Sequence, residues 1–196
     1  MSAPELSVAG ADVGIELTQC AADIIEISAR RGRALELATV ARGLGWSLPA
    51  LGRCSTTADA LMLSTRPDRW LILIPRGKAD ATLDRWQTDF AGLSAVIDHS
   101  SALAVSHLAG NAVRHMLARG CRLDLHPAVL HAGCAAATVV AQIAVSLVVL
   151  PAGLLLLTPA TTARHFHEWL LATARPFGVA QPSALNLPEI LGSYGS

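Results

Sequence analysis

Between Asp124 and Arg164 the chain carries no Asp, Glu, Lys or Arg, and within that gap residues 139–157 are almost wholly apolar. A run of this length could form a membrane helix, which needs about 20 apolar residues. Three features point to strands instead. Pro151-Ala152-Gly153 is a turn signal that cuts the run into two pieces of strand length. The first piece is rich in Val and Ile and carries Gln142 and Ser146, as a strand with one less apolar face would. No Lys or Arg lies close enough to orient a membrane span. The run is read as a buried β-hairpin, with strands over 139–150 and 154–158.

The rest of the composition bounds the function. The 196 residues suit one domain, or two small ones sharing a core. Fifteen basic and fifteen acidic side chains cancel, and charged residues make up 15% of the chain; about 25% is usual. With 52% hydrophobic residues and a mean hydropathy of +0.44, disorder is excluded. Lys78 is the one lysine and the arginines read as scattered along the chain, so nucleic-acid binding is not indicated. The apolar surplus reads as surface kept covered by another protein, as in obligate complexes. Met1-Ser-Ala-Pro-Glu5 has neither basic nor apolar signal regions, so a cytoplasmic location is expected. Cys20, Cys54, Cys121 and Cys134 show no CxxC and read as reduced thiols.

The chain does the same thing twice. In the first half a strand over 23–28 leads to a helix over 32–44, with Leu37, Val40, Ala41 and Leu44 on one face. Strands over 60–64 and 70–74 follow, joined at Arg66-Pro67-Asp68, and then a helix striped by Ala79, Leu83, Trp86 and Phe90. The second half has a strand over 102–106, a helix over 111–119, the apolar hairpin, and a helix over 162–177 burying Phe166, Trp169, Leu170 and Phe177. Pro49 matches Pro127, and Pro75 matches Pro159. The expected fold is α+β: a pseudo-symmetric pair of β-α-β-β-α units over 20–92 and 93–178, with antiparallel sheets and helices packed on one side. Residues 1–19 read as an N-terminal arm and 179–196 as a C-terminal tail.

No catalytic constellation assembles. Asp98-His99-Ser100-Ser101 holds the residue types of a triad, but sequence neighbours rarely face one another, and the segment reads as a turn. His165 and His167 are two apart on a helix and diverge, unlike the i, i+4 pair of a zinc helix. His126 and His131 could converge with Cys121 or Cys134, but no CxxC or HxxxH anchors a ligand set. There is no GxGxxG, no GxxxxGK[ST] and no GxSxG. No catalytic, cofactor-binding or metal residue is therefore assigned. Trp70, beside Pro67-Asp68-Arg69, is a candidate for a partner interface because Trp and Arg are enriched at binding hot spots.

Several stretches resemble the gamma subunit of heterotetrameric sarcosine oxidase. They are Arg66-Pro-Asp-Arg-Trp-Leu-Ile-Leu-Ile74, Ile97-Asp-His-Ser-Ser-Ala-Leu-Ala-Val105, and Leu108-Ala-Gly-Asn-Ala-Val-Arg-His-Met-Leu117 running into Arg119-Gly-Cys-Arg-Leu-Asp-Leu-His-Pro127. His131-Ala-Gly-Cys134, Thr138-Val-Val-Ala-Gln-Ile143 and Glu168-Trp169-Leu170 continue the similarity, over about residues 20–178. The resemblance implies an aminomethyltransferase T-protein-like fold and a non-catalytic subunit without a cofactor of its own. Alpha, beta and delta partners would hold NAD, FAD, FMN and zinc and use tetrahydrofolate. The complex would convert sarcosine to glycine, with hydrogen peroxide and 5,10-methylenetetrahydrofolate as products. Arg122, Asp124, His126 and Pro127, in the most specific of these stretches, join Trp70 as interface candidates. Two alternatives stay open. One is a subunit of a paralogous oxidase for another N-methyl amino acid, such as an N-methylated proline. The other is a stand-alone folate-binding protein, for which Asp98 or Asp124 would have to face a preformed pocket.

Overall fold

The computed structural model describes residues 14–151 and 153–192; residues 1–13 of the expected arm, Ala152 of the expected turn and residues 193–196 of the expected tail lie outside them. The first half comprises β1 (Ile15–Ala29), α1 (Ala34–Gly43), β2 (Arg53–Thr56), β3 (Leu61–Arg66), β4 (Arg69–Pro75), α2 (Ala79–Asp89) and β5 (Ser94–Asp98). The second comprises β6 (Leu103–Ala109), α3 (Val113–Leu117), β7 (Ala135–Val140), β8 (Ile143–Leu150), β9 (Gly153–Pro159) and α4 (Ala163–Ala174). The chain then adds β10 (Val179–Ala180), β11 (Leu185–Asn186) and α5 (Leu187–Gly192).

The strands form one largely antiparallel sheet in the order β2-β3-β4-β1-β6-β9-β8-β7, which nearly closes on itself. The hinge is β1, whose 15 residues serve both halves. Glu16–Cys20 pair with β6, and Ala22–Ser28 pair with β4. At the seam, the Cys54 N–H donates to the Gly133 carbonyl at 2.9 Å and the Ala135 N–H to Gly52 at 2.9 Å, so the ends of the sheet meet.

Strand alternation then builds three cores. Inward-facing Ile24, Leu61, Leu63 and Leu73 meet Val105, Val148, Leu155 and Leu157 between the two half-sheets, where α5 adds Leu187, Ile190 and Leu191. On one outer face, Ile25, Ile27, Met62, Ile72 and Ile74 are covered by Leu37 and Ala41 of α1 and Trp86 of α2. On the other, Val145, Leu147, Leu154 and Leu156 lie beneath Met116 and Leu117 of α3 and Phe166 and Leu170 of α4. Both faces of the central strands are therefore buried, which is why 154–157 reads as an unbroken apolar run. The apolar surplus goes into these layers. Among the described residues the exposed large apolar side chains are only Leu35, Leu51, Ile97, Val129 and Val139, so the surplus does not by itself require a covering partner.

The hairpin expectation needs one correction. Residues 139–150 are not one strand: β7 and β8 turn back at Ala141-Gln142, flanked by the pair Val140↔Ile143. Both turn residues have positive φ, 49° and 67°, the signature of a type I′ turn. Neither is Gly, Asn or Asp, so the turn carried no sequence signal. The corresponding hairpin strand of the first half, β2, was also not anticipated. Each half thus has three strands between its helices, and β5 further pairs with β1 from Ile25 to Ala29.

Local chemistry fixes the helices. Asp23 on β1 accepts the N–H groups of Lys78 and Ala79, both at 2.8 Å, and caps α2 from a distant strand. Gly110 ends β6 at φ +112°, where a Cβ would collide with the carbonyl of Gly14.

Candidate functional site

The half-sheets leave a cavity of about 190 Å³ between them, lined by Glu26, Leu63, Thr65, Arg66, Arg69, Trp70, Leu71, His99, Leu103 and Ser146. Its polar centre is Glu26, which lies between Ile25 and Ile27 on β1. Ser28 Oγ donates to Glu26 Oε1 at 2.8 Å, Arg69 Nη1 approaches the same oxygen at 3.5 Å, and His99 Nε2 lies 3.9 Å from Oε2. The carboxylate is thus engaged from three sides. A ligand pocket usually occupies about 300–1,000 Å³, so this cavity is on the scale of a side chain or a few waters.

Asp98, His99 and Ser100 do not form a relay. Ser100 Oγ donates to Asp98 Oδ1 at 2.6 Å, and the Ser100 N–H reaches the same oxygen at 2.7 Å. These hydrogen bonds hold the Asp98 carboxyl below its ordinary range. Ser100 Oγ also accepts the Ile24 N–H at 3.0 Å, so the hydroxyl pins the start of the second half to β1. His99 turns toward Glu26 instead.

The other sequence candidates fall in two places. Trp70 is buried, and its indole N–H donates to the Pro49 carbonyl at 2.8 Å, tying β4 to the loop after α1. Arg122, Asp124, His126 and Pro127 are exposed on the loop between α3 and β7. Asp124 Oδ1 accepts the His126 N–H at 2.8 Å, and His126 Nδ1 accepts the Ala128 N–H at 3.2 Å. Arg114 Nη1 donates to the Leu125 carbonyl at 2.6 Å and binds the loop to α3. Asp124, His126 and Pro127 therefore share an open groove of about 560 Å³ with Asn111, Arg114 and His115 of the α3 region. Trp70 is not part of that groove, so the five candidates do not make one surface.

The cysteines are free thiols. Burial pushes Cys20 up to about 12. Burial, then the neighbouring Cys134, raises Cys54 to about 11, which Arg53 partly opposes. His167 Nδ1 lies 3.1 Å from Gln19 Nε2 and so serves the contact between α4 and β1. Among the described residues, no three His, Cys, Asp or Glu side chains are grouped so as to hold a metal ion. No helix among them is long and apolar enough to cross a membrane. Sequence reasoning missed Glu26 and Asp23. The available signal was acidic residues interrupting the apolar strand Asp23-Ile-Ile-Glu-Ile-Ser28.

The fold and the small cavity between the half-sheets describe a T-protein-like scaffold whose inner layer is packed with apolar side chains. The same fold occurs in glycine cleavage system aminomethyltransferase T from Bartonella henselae, with TM-score 0.63, 16% identity, and coverage of 87% of this chain and 48% of that one. A chain of heterotetrameric sarcosine oxidase from Corynebacterium sp. U-96, solved with pyrrole 2-carboxylate, matches with TM-score 0.75 and 26% identity, over 89% of this chain and 90% of that one. No curated protein matches by sequence. The model of the sarcosine oxidase gamma subunit family matches residues 31–173, and the chain belongs to that family.

Proposed function

We propose that this chain is the gamma subunit of a heterotetrameric sarcosine oxidase and acts there as a structural support without chemistry of its own. The observation that carries this is the near end-to-end match, in both directions, to a chain of a solved heterotetrameric sarcosine oxidase. Membership of the gamma subunit family supports it independently. On this reading the assembled enzyme oxidises sarcosine to glycine, passes electrons to oxygen as hydrogen peroxide, and transfers the methyl carbon to tetrahydrofolate as the 5,10-methylene form. Alpha, beta and delta subunits in the cytoplasm would supply NAD, FAD, FMN and zinc.

The residues of this chain do not fit tetrahydrofolate between the half-sheets. The cavity there is about 190 Å³, and Leu63, Leu71 and Leu103 fill its walls. Asp98 is occupied by Ser100 outside it, and Asp124 borders the outer groove. What the chain can supply is a rigid folded body with exposed loops for partners to hold.

Co-expression with and without this chain tests the reading. With it, the flavin-bearing subunits should be recovered as a stable, sarcosine-oxidising assembly that contains it. Without it, yield and activity should fall together. Full assembly and activity in its absence would overturn the proposal.

A further inference from the structure

The sequence spreads its arginines, but the fold gathers five of them at one end of the first half-sheet. Arg30, Arg31 and Arg33 lie just past the end of β1, and Arg66 and Arg69 flank the β3–β4 turn. The Ala29 N–H donates to the Asp68 carbonyl at 2.9 Å, and the Arg30 backbone N–H donates to the Leu93 carbonyl at 2.8 Å, so these segments lie side by side. All five arginines are exposed. Arg33 pairs with Glu36 at 3.2 Å and Arg69 approaches Glu26 at 3.5 Å. Arg30, Arg31 and Arg66 have no ion pair among the described residues, and Asp68 is the remaining carboxylate at the turn. Two residues after Arg33, Leu35 on the first turn of α1 is 87% exposed, the most open of the exposed large apolar side chains.

We propose that this end of the molecule docks an acidic segment of a partner polypeptide, with carboxylates opposite Arg30, Arg31 and Arg66 and an apolar side chain covering Leu35. The inference rests on the subunit reading and deepens it by naming one contact surface and the chemistry of what it meets. Charge complementarity selects the occupant, because three exposed arginines without an ion pair among the described residues lie at this end and carboxylates would complement them. Arginine is the cation enriched at protein interfaces and is suited to forked carboxylate pairing. The exposed leucine fits a polypeptide better than a phosphate backbone, which offers nothing apolar to cover it.

The test uses the tagged chain co-expressed with its partner subunits, measuring partner recovered per bait across a sodium chloride series. Replacing Arg30, Arg31 and Arg66 together by Gln should lower recovery on the order of tenfold at low salt and flatten its salt dependence. Leu35→Ser should weaken recovery without changing the salt dependence. Arg76→Gln with Arg175→Gln, exposed cations elsewhere, should change neither, and circular dichroism with thermal melting should show all variants folded. A wild-type chain that recovers no partner would overturn the subunit reading and this surface together. Normal recovery by the wild type and equal recovery by the triple variant would overturn the surface alone. If that variant instead lost bound RNA, the patch would be a nucleic-acid surface.

Discussion

Asp23 shows how much one side chain can fix. It sits on β1, is buried, and spends its carboxylate on two N–H groups that begin α2, so strand and helix are joined without a local cap. Asp23→Ala should cost about 1–2 kcal/mol, the range of a lost cap, and Asp23→Asn less, because one acceptor oxygen remains; thermal melting of the three proteins checks the order. Titration sets a second expectation. The Cys20 and Cys54 thiols are raised from 9.0 to about 12 and about 11, so the unfolded chain ionises first and stability falls as pH rises above about 9. Burial lowers His107 from its ordinary 6.5, against an opposing effect of Glu16. The unfolded chain therefore takes up that proton first, and stability also falls as pH drops below 6.5. Denaturant melts across pH should show a plateau between these limits, with the acid-side loss reduced in His107→Leu. A denaturation midpoint still rising above pH 9 would contradict the thiol assignment.

At the element scale, the β7–β8 turn holds Ala141 and Gln142 at φ 49° and 67°. A side chain in the left-handed region costs about 1 kcal/mol or more relative to glycine, and Gln142 is exposed, so Gln142→Gly should raise stability by about 1 kcal/mol. Equilibrium unfolding of the two proteins measures it, and a destabilised variant would contradict the turn geometry. This turn also marks the limit of what was legible. Amphipathic stripes, the Pro67-Asp68 turn and the doubling of the fold stand out in the sequence because periodicity and proline leave local traces. The break at Ala141-Gln142 leaves none, since tertiary contacts hold it: the Ala141 N–H donates to the Gly120 carbonyl at 3.1 Å. Gly120 in turn has no room for a Cβ, which would stand 2.5 Å from the Trp169 ring. Gly120→Ala should therefore destabilise by about 1–3 kcal/mol, as overpacked sites do. The segment after residue 178 was equally opaque. Leu187, Ile190 and Leu191 enter the inner core, yet a six-residue helix has too few turns to display a stripe.

At the scale of the whole molecule, β1 lets one sheet face itself, so the same chain buries an inner core and two helix-covered outer ones. That layering accounts for a composition poor in charge, which the sequence alone suggests belongs at an interface. Two features stand out on the surface: the open groove beside α3 and the arginine end of the first half-sheet. Arg122, Asp124, His126 and Pro127 lie on an exposed loop, but the arginine cluster joins residues more than 30 positions apart and needs the fold to be seen. The direct measurement is isolation of the tagged chain from its source cells, with subunit counting and an absorption spectrum of the eluate. The account predicts three co-purifying chains and a flavin spectrum; a colourless monomer of 20.4 kDa would contradict it.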